Sequence, residues 1–361
     1  MIVKMCYNFD IIYLKLHGRK KMKNIRICKV AIRGFILLIT VLLVFGSCPI
    51  YLNSFAESDS AKAVSYSQAK RNVSLFCSKA YFNKVYSDTK TEILKSPFPF
   101  DLYASLNPTD FFIAGFENDK LVFYYTNSKQ FLGYENIKIG SSLQDVKRNK
   151  LKFLKSFEIL KDMKKYNFTD ENLGKEYDVA LVNNSYYVYF FYDKLVFSNI
   201  VNGIFMVKKG IWDDFLLNDD VLKEQKDINH LLFAFERLCY LHLNSIRSQK
   251  RKQLFKYSDK ISLIARLHSQ NMAKYNFFGH TDVFGQSPAD RFQKQAISFK
   301  KIGENIAMGT KLLPFFANHL LLNSKGHKKN IEDNFEYIGI GCAVDFTTNN
   351  VYYTQNFAIL N

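Results

Sequence analysis

The sequence predicts an α+β protein: a C-terminal three-layer α-β-α sandwich over residues 230–361, preceded by a β-rich α+β domain over 71–225. Three observations lead there. Residues 71–225 alternate aromatic and polar side chains at the two-residue period of strands. From His230 onward the apolar period lengthens to that of helices. The chain then closes on two strand-like runs, 337–345 and 351–359, around Thr347-Thr348-Asn349-Asn350, and helices interleaved with a late antiparallel pair stack as α-β-α layers. At 361 residues and 48% hydrophobic, with 34 Phe and 22 Tyr, the chain can bury a sizeable core, which excludes wholesale disorder.

Residues 1–56 read as a leader. They open with nine lysines and arginines against Asp10 up to Ser47, a net +8 of the total +17, so the remainder carries +9. Positions 19–33 are basic and 34–56 are uncharged, and the run from Gly34 to Phe45 is an apolar h-region behind a basic n-region. The residues ahead of Met22 are superfluous to that pattern, so Met22 is a candidate start. Val44-Phe45-Gly46-Ser47-Cys48 resembles a bacterial lipoprotein box with Cys48 as the lipidated residue, although Phe45 and Pro49 depart from it. Cleavage near Ala56 and an uncleaved anchor are the alternatives, the uncharged stretch being long enough to span a bilayer. All three export the body, and the first and third place it at the envelope, with the membrane as a partner through a lipid or an N-terminal anchor. Residues 57–70, beginning Glu57-Ser58-Asp59-Ser60-Ala61-Lys62, suit a tether.

In the β-rich part, Phe111–Phe116 and Leu121–Tyr125 flank Glu117-Asn118-Asp119-Lys120, a hairpin signal. Tyr186–Phe191 leads to another hairpin, and Asn202-Gly203 marks a third tight turn. The pentapeptide Asp-Lys-Leu-Val-Phe stands at 119–123 and again at 193–197, which suggests two related hairpins. Ser142 and Asp145 form a capping box that starts a helix. Cys77, Cys239 and Cys342 have no paired spacing and read as buried free thiols.

In the C-terminal part, Leu231, Phe235, Leu238 and Leu241 recur at helical spacing over 230–247. A second helix runs from Asp259, its N-cap, to Tyr275 and buries Ile261, Ile264, Leu267 and Met272. Ser287-Pro288-Ala289-Asp290 is a strong helix start, and a further helix covers 314–323.

Three glycine-marked turns carry the chemistry: Gly279-His280-Thr281, Gly303-Glu304-Asn305-Ile306-Ala307, and Asn323-Ser324-Lys325-Gly326-His327 with Asn330-Ile331. Together with Asn244-x-x-Arg247 and Tyr353-Thr354-Gln355-Asn356-Phe357, they resemble the CAP superfamily (SCP/PR-1-like) in its disulfide-free bacterial form. This sequence has Leu321, Lys325 and Lys328 where bacterial members carry Trp, Pro and Arg, and Ser324 stands near the place of a second glutamate. The resemblance implies that His280, Glu304 and His327 converge in a cleft. Two neutral imidazoles and a carboxylate suit Zn²⁺ with one position open, and a hydrogen-bonded His–Glu–His network is the metal-free alternative. The spacings of 24 and 23 residues contain no local metal motif. Asn305, Ser324 and Gln355 are read as cleft or structural residues, with Ser324 as an N-cap or turn residue. His268 reads as a surface or internally satisfied histidine. Lys325, Lys328 and Lys329, and the run Lys250-Arg251-Lys252, read as solvated.

Three functions are consistent with this pattern. The first is an exported, membrane-tethered binding protein that takes a metal, lipid or peptide-like ligand, its partners being a lipid, an envelope polymer or a host protein. The second is a metal-dependent, peptidase-like hydrolase with Glu304 as general base. The third is an interaction protein working through residues 71–225. No P-loop, GxGxxG or zinc-finger pattern is present, so the basic charge is not read as nucleic-acid binding.

Overall fold

The computed structural model describes Val3–Met5 (β1), Ile12–Tyr13 (β2) and residues 70–361. Apart from those two backbone strands and Lys70, the leader with Cys48 and the tether lie outside the described residues. Among the described residues no helix is long and apolar enough to cross a membrane.

Beyond the tether come α1 (Lys79–Val85), β3 (Thr91–Leu94), β4 (Leu102–Ser105), β5 (Phe112–Glu117), β6 (Lys120–Thr126), α2 (Leu143–Arg148) and the separate hairpin β7 (Phe157–Lys161) and β8 (Lys164–Phe168). They are followed by β9 (Tyr177–Val182), β10 (Tyr186–Asp193), β11 (Ile200–Lys208) and α3 (Lys209–Leu217). Seven of the strands form an antiparallel sheet in the order β3-β4-β5-β6-β11-β10-β9. The expected hairpin at 117–120 is present: Asn118 and Asp119 adopt φ of 47° and 57°, the positive values that a tight two-residue turn needs. The Ser142/Asp145 capping box is also formed.

Two local expectations fail here. Asn202-Gly203 lies inside β11, and Gly203 is needed for space rather than for a turn, because a Cβ there would meet His319 Nε2 at 2.4 Å. The repeated pentapeptide is a strand only once. Phe123 is fully buried in β6, whereas Leu195 and Phe197 belong to the loop between β10 and β11, with Phe197 97% exposed.

The C-terminal part consists of α4 (Ile228–Gln249), β12 (Lys256–Tyr257), α5 (Asp259–Tyr275), α6 (Pro288–Lys294), β13 (Phe299–Thr310), α7 (Pro314–Leu322), α8 (Lys325–Glu332), β14 (Tyr337–Asp345) and β15 (Asn350–Leu360). Its sheet runs β13-β15-β14-β12, with β1 and β2 along the outer edge of β13. Helix α5 packs on one face. Gly339 and Gly341 permit this, since a Cβ at either would lie 2.0–2.3 Å from the α5 backbone. Ile338, Ile340 and Cys342 point to the opposite face and join the core shared with α4 and α7. This is the expected three-layer α-β-α sandwich. Helix α5 is capped by Ser258 rather than Asp259, and Leu267 lies 42% exposed on its outer side. Cys77, Cys239 and Cys342 are free thiols.

The two parts share one core. The inner face of the seven-stranded sheet (Phe123, Tyr125, Tyr189, Phe191, Phe205) packs on Phe315 and Phe316 of α7 and on Trp212 of α3. Every residue of α7 is buried, as expected of a helix that is apolar on all sides. Ion pairs close the rim. Asp193, 2% exposed, receives Lys328 at 2.7 and 2.8 Å and Lys250 at 3.4 Å, so neither lysine is a freely solvated residue.

A chain of buried polar side chains crosses this junction. Asn330 donates to Asn305 (3.0 Å), Asn305 to Gln355 (3.2 Å) and Gln355 to Asn318 (2.8 Å). Asn318 Nδ2 donates to His242 Nδ1 at 3.2 Å, so His242 carries its proton on Nε2 and donates it to Tyr125 Oη at 2.6 Å. Tyr125 in turn donates to His319 Nε2 at 2.9 Å. Burial holds His242 down at about 3 and His319 well below the ordinary imidazole range, so both are neutral in the fold.

The unfolded chain takes up these protons first, so stability is full above about pH 6.5 and falls toward pH 3. At pH 5 one such histidine costs about 2 kcal/mol. The melting temperature should therefore fall between about pH 7.5 and pH 5, less steeply in His242→Asn, and a flat profile in the natural chain contradicts the arrangement. Asp193→Ala takes from Lys328, 12% exposed, its close ion pair and leaves it Glu332 at 3.9 Å, an expected loss of about 2 kcal/mol in urea unfolding.

Candidate functional site

Glu304 sits in the middle of β13, where the sequence suggested a turn, and its side chain is 1% exposed. Successive strand residues point to opposite faces, so Glu304 and Asn305 face different layers. Glu304 turns toward α5 and α6. Its Oε1 accepts from His280 Nδ1 at 2.9 Å, its Oε2 accepts from Arg291 Nη2 at 2.7 Å, and His268 Nε2 lies 3.8 Å from Oε1. Because the carboxylate can only accept, His280 carries its proton on Nδ1, which leaves Nε2 as the acceptor of that ring.

The loop bearing His280 is locked from both sides. Asp282 Oδ1 accepts from the backbone N–H of Phe284 and Gln286, both at 2.9 Å, and Gly285 completes the turn at φ +76°. Arg291 Nη1 donates to the carbonyls of His280 and Gln286, both at 2.9 Å. His268, fully buried, donates to the Gly279 carbonyl at 3.0 Å, while its Nδ1 and the Nε of Arg291 have no hydrogen-bond partner. Burial pushes the Glu304 carboxyl up, but the Arg291 guanidinium and the hydrogen bond from His280 outweigh it and hold the group below the usual carboxylate range. His268 is pushed down by its burial, partly offset by Glu304.

Asn305 turns to the other layer. It donates to the His327 carbonyl at 3.2 Å and accepts from Asn330, which also donates to the Glu304 carbonyl at 3.3 Å. Asn305 thus ties β13 to α8, while Gln355, its partner across β13 and β15, continues the row to Asn318 of α7. Ser324 is at the N-cap of α8 but makes no side-chain cap bond. The expected turn 323–329 is mostly this helix. Arg247 serves the far end of α8, donating to the Ile331 and Asp333 carbonyls at 2.7 and 2.8 Å.

His280 and Glu304 therefore meet as the resemblance implied, while His327 belongs to α8 in the other helical layer. Among the described residues no group of three His, Cys, Asp or Glu side chains is placed to hold a metal ion. The donors do not fit Zn²⁺ as they stand: the cation that Glu304 faces is a guanidinium. Two members of the cluster escaped the sequence reading. His268 follows Ile264 and precedes Met272 at four-residue spacing, which places it on the buried face of α5, and Arg291 sits beside Phe292 on the buried face of α6. That periodicity was the available signal.

Residues 240–357 match the sequence profile of the CAP, or cysteine-rich secretory protein, family, and residues 78–214 match the CAP-associated N-terminal region. The C-terminal third of the chain is a CAP domain. It is 34% identical over 125 residues to the uncharacterized protein YkwD of Bacillus subtilis and 33% identical over 114 residues to the uncharacterized membrane protein YlbC of the same organism. These matches span 34% and 32% of this chain but only 47% and 31% of the two relatives. The fold extends further. An extracellular SCP-domain protein from Bacillus anthracis aligns with 83% of this chain and 99% of its own at a TM-score of 0.66 and 20% identity. A cysteine-rich secretory protein from Staphylococcus aureus aligns with 79% and 93% at 0.60 and 17%. Those two likenesses establish the architecture of both parts together.

Glu304→Gln should leave Arg291 buried without its counter-charge, and Arg291→Met should do the same to Glu304, each at a cost of about 3 kcal/mol. The double variant should lose clearly less than the sum. Additive losses in a denaturation cycle contradict the pair.

Proposed function

We propose that the protein is exported and membrane-tethered, and that its CAP domain binds a peptide-like, lipid or polymer ligand of the envelope or host at the cleft around His280, without catalysing its conversion. The observation that carries this reading is the state of Glu304. Both oxygens of this carboxylate already accept, from His280 Nδ1 and Arg291 Nη2, and the guanidinium holds it ionised, so it is poorly placed to take a proton from water, which speaks against the hydrolase reading with Glu304 as base. The same contacts favour binding, since they fix His280 with its Nε2 lone pair available to a donor group on a ligand. Export is supported by the basic-then-apolar leader and by the description of the Bacillus anthracis neighbour as extracellular. The alternative that residues 71–225 act alone loses support because their inner face shares its core with α4 and α7.

The test uses three defined probes: a soluble peptidoglycan fragment, anionic phospholipid vesicles and a set of extended peptides. One class should bind, and His280→Ala should weaken it by about tenfold or more with the melting temperature unchanged. Failure of all three classes, or binding indifferent to His280→Ala, rejects the proposal.

A further inference from the structure

The Glu304 carboxylate divides its oxygens between two fixed donors, His280 Nδ1 at 2.9 Å and Arg291 Nη2 at 2.7 Å. Arg291 is itself enclosed, its side chain 6% exposed, and its other terminal nitrogen holds the carbonyls of His280 and Gln286, both at 2.9 Å. The guanidinium cannot swing aside without releasing the loop that carries His280. A guanidinium does not deprotonate in a protein, so this positive charge is permanent. A divalent ion on Glu304 would share the carboxylate with it in a buried setting, where repulsion between like charges is poorly screened. The His280 nitrogen nearest the carboxylate is occupied by a proton and offers no lone pair to a metal.

We propose that Arg291 is the resident cation of this site: its guanidinium takes the charge role that a divalent metal would otherwise have, and it keeps Zn²⁺ out. Arg291 is thereby a specificity-determining residue, because it turns a potential metal centre into a metal-free His280–Glu304–Arg291 unit with a single outward acceptor. The inference rests on the binding reading for its purpose, but its test needs no ligand and stands whether or not one is found.

Zinc is titrated calorimetrically into the detergent-solubilised full chain and into His280→Ala, Arg291→Gln, Arg291→Lys and Arg291→Gln/Glu304→Gln, with melting curves to confirm folding. The natural chain and Arg291→Lys should show no micromolar zinc site that depends on His280. Arg291→Gln, which removes the charge, should bind zinc about tenfold tighter or better, and adding Glu304→Gln should abolish the gain. A His280-dependent micromolar site in the natural chain overturns the proposal, as does a folded Arg291→Gln that binds zinc no better. If Arg291→Gln does not fold, the natural chain and Arg291→Lys decide: His280-dependent uptake in either overturns the proposal, and its absence from both supports it.

Discussion

A helix with no polar side must be covered all round, and α7 imposes that condition on this fold. Its nine residues are all buried, and a single sheet can cover only part of a helix. The C-terminal layers supply α4 and β13, and the aromatic face of β6, β10 and β11 covers the remainder. The high Phe and Tyr content follows from the same condition. The seven-stranded sheet is packed on both faces, with Val188, Phe190 and Tyr192 in one core and Tyr187, Tyr189 and Phe191 in the other.

Once the apolar faces are joined, polar groups trapped between them need partners, because an unmatched buried donor or acceptor costs more than a matched one returns. The row from Asn330 to His319 meets most of that need, with Asn330 Oδ1 and His319 Nδ1 left unmatched at its ends, and it fixes the orientation of its amides and the proton positions on His242 and Tyr125. One end lies beside Glu304 and the other contacts the seven-stranded sheet through Tyr125. Asp193 does the equivalent for charge, drawing Lys328 out of solvent one residue from His327.

Much of this was legible in the residues. Helices α4 and α5 and both last strands follow from apolar spacing, and the capping boxes at Ser142 and Ser287 start their helices as read, whereas α8 was read as a turn. Long-range packing explains what was not legible. Gly303-Glu304-Asn305 looks like a turn because glycine and asparagine favour turns. Here Gly303 is a strand residue paired with Phe357, and it is glycine because a Cβ would meet Asn330 and Phe335 at 3.0 Å. The repeated pentapeptide shows the same limit, since its second copy lacks the neighbouring strand that makes the first one a strand. At the site, His280 and Glu304 were readable from motifs, whereas for Arg291 and His268 the local periodicity shows only that they are buried, and the carboxylate they serve is remote in sequence.

The intimacy of α7 with the aromatic sheet also bears on heredity. A freestanding CAP domain needs a solvated surface where this one presents Phe315, Phe316 and His319. Gene rearrangements that exchanged this domain for a freestanding cousin would bring a mismatched helix to the sheet and leave Tyr125 without His319. The two faces of the junction are thus interdependent, and a change in volume or polarity at one calls for a matching change at the other.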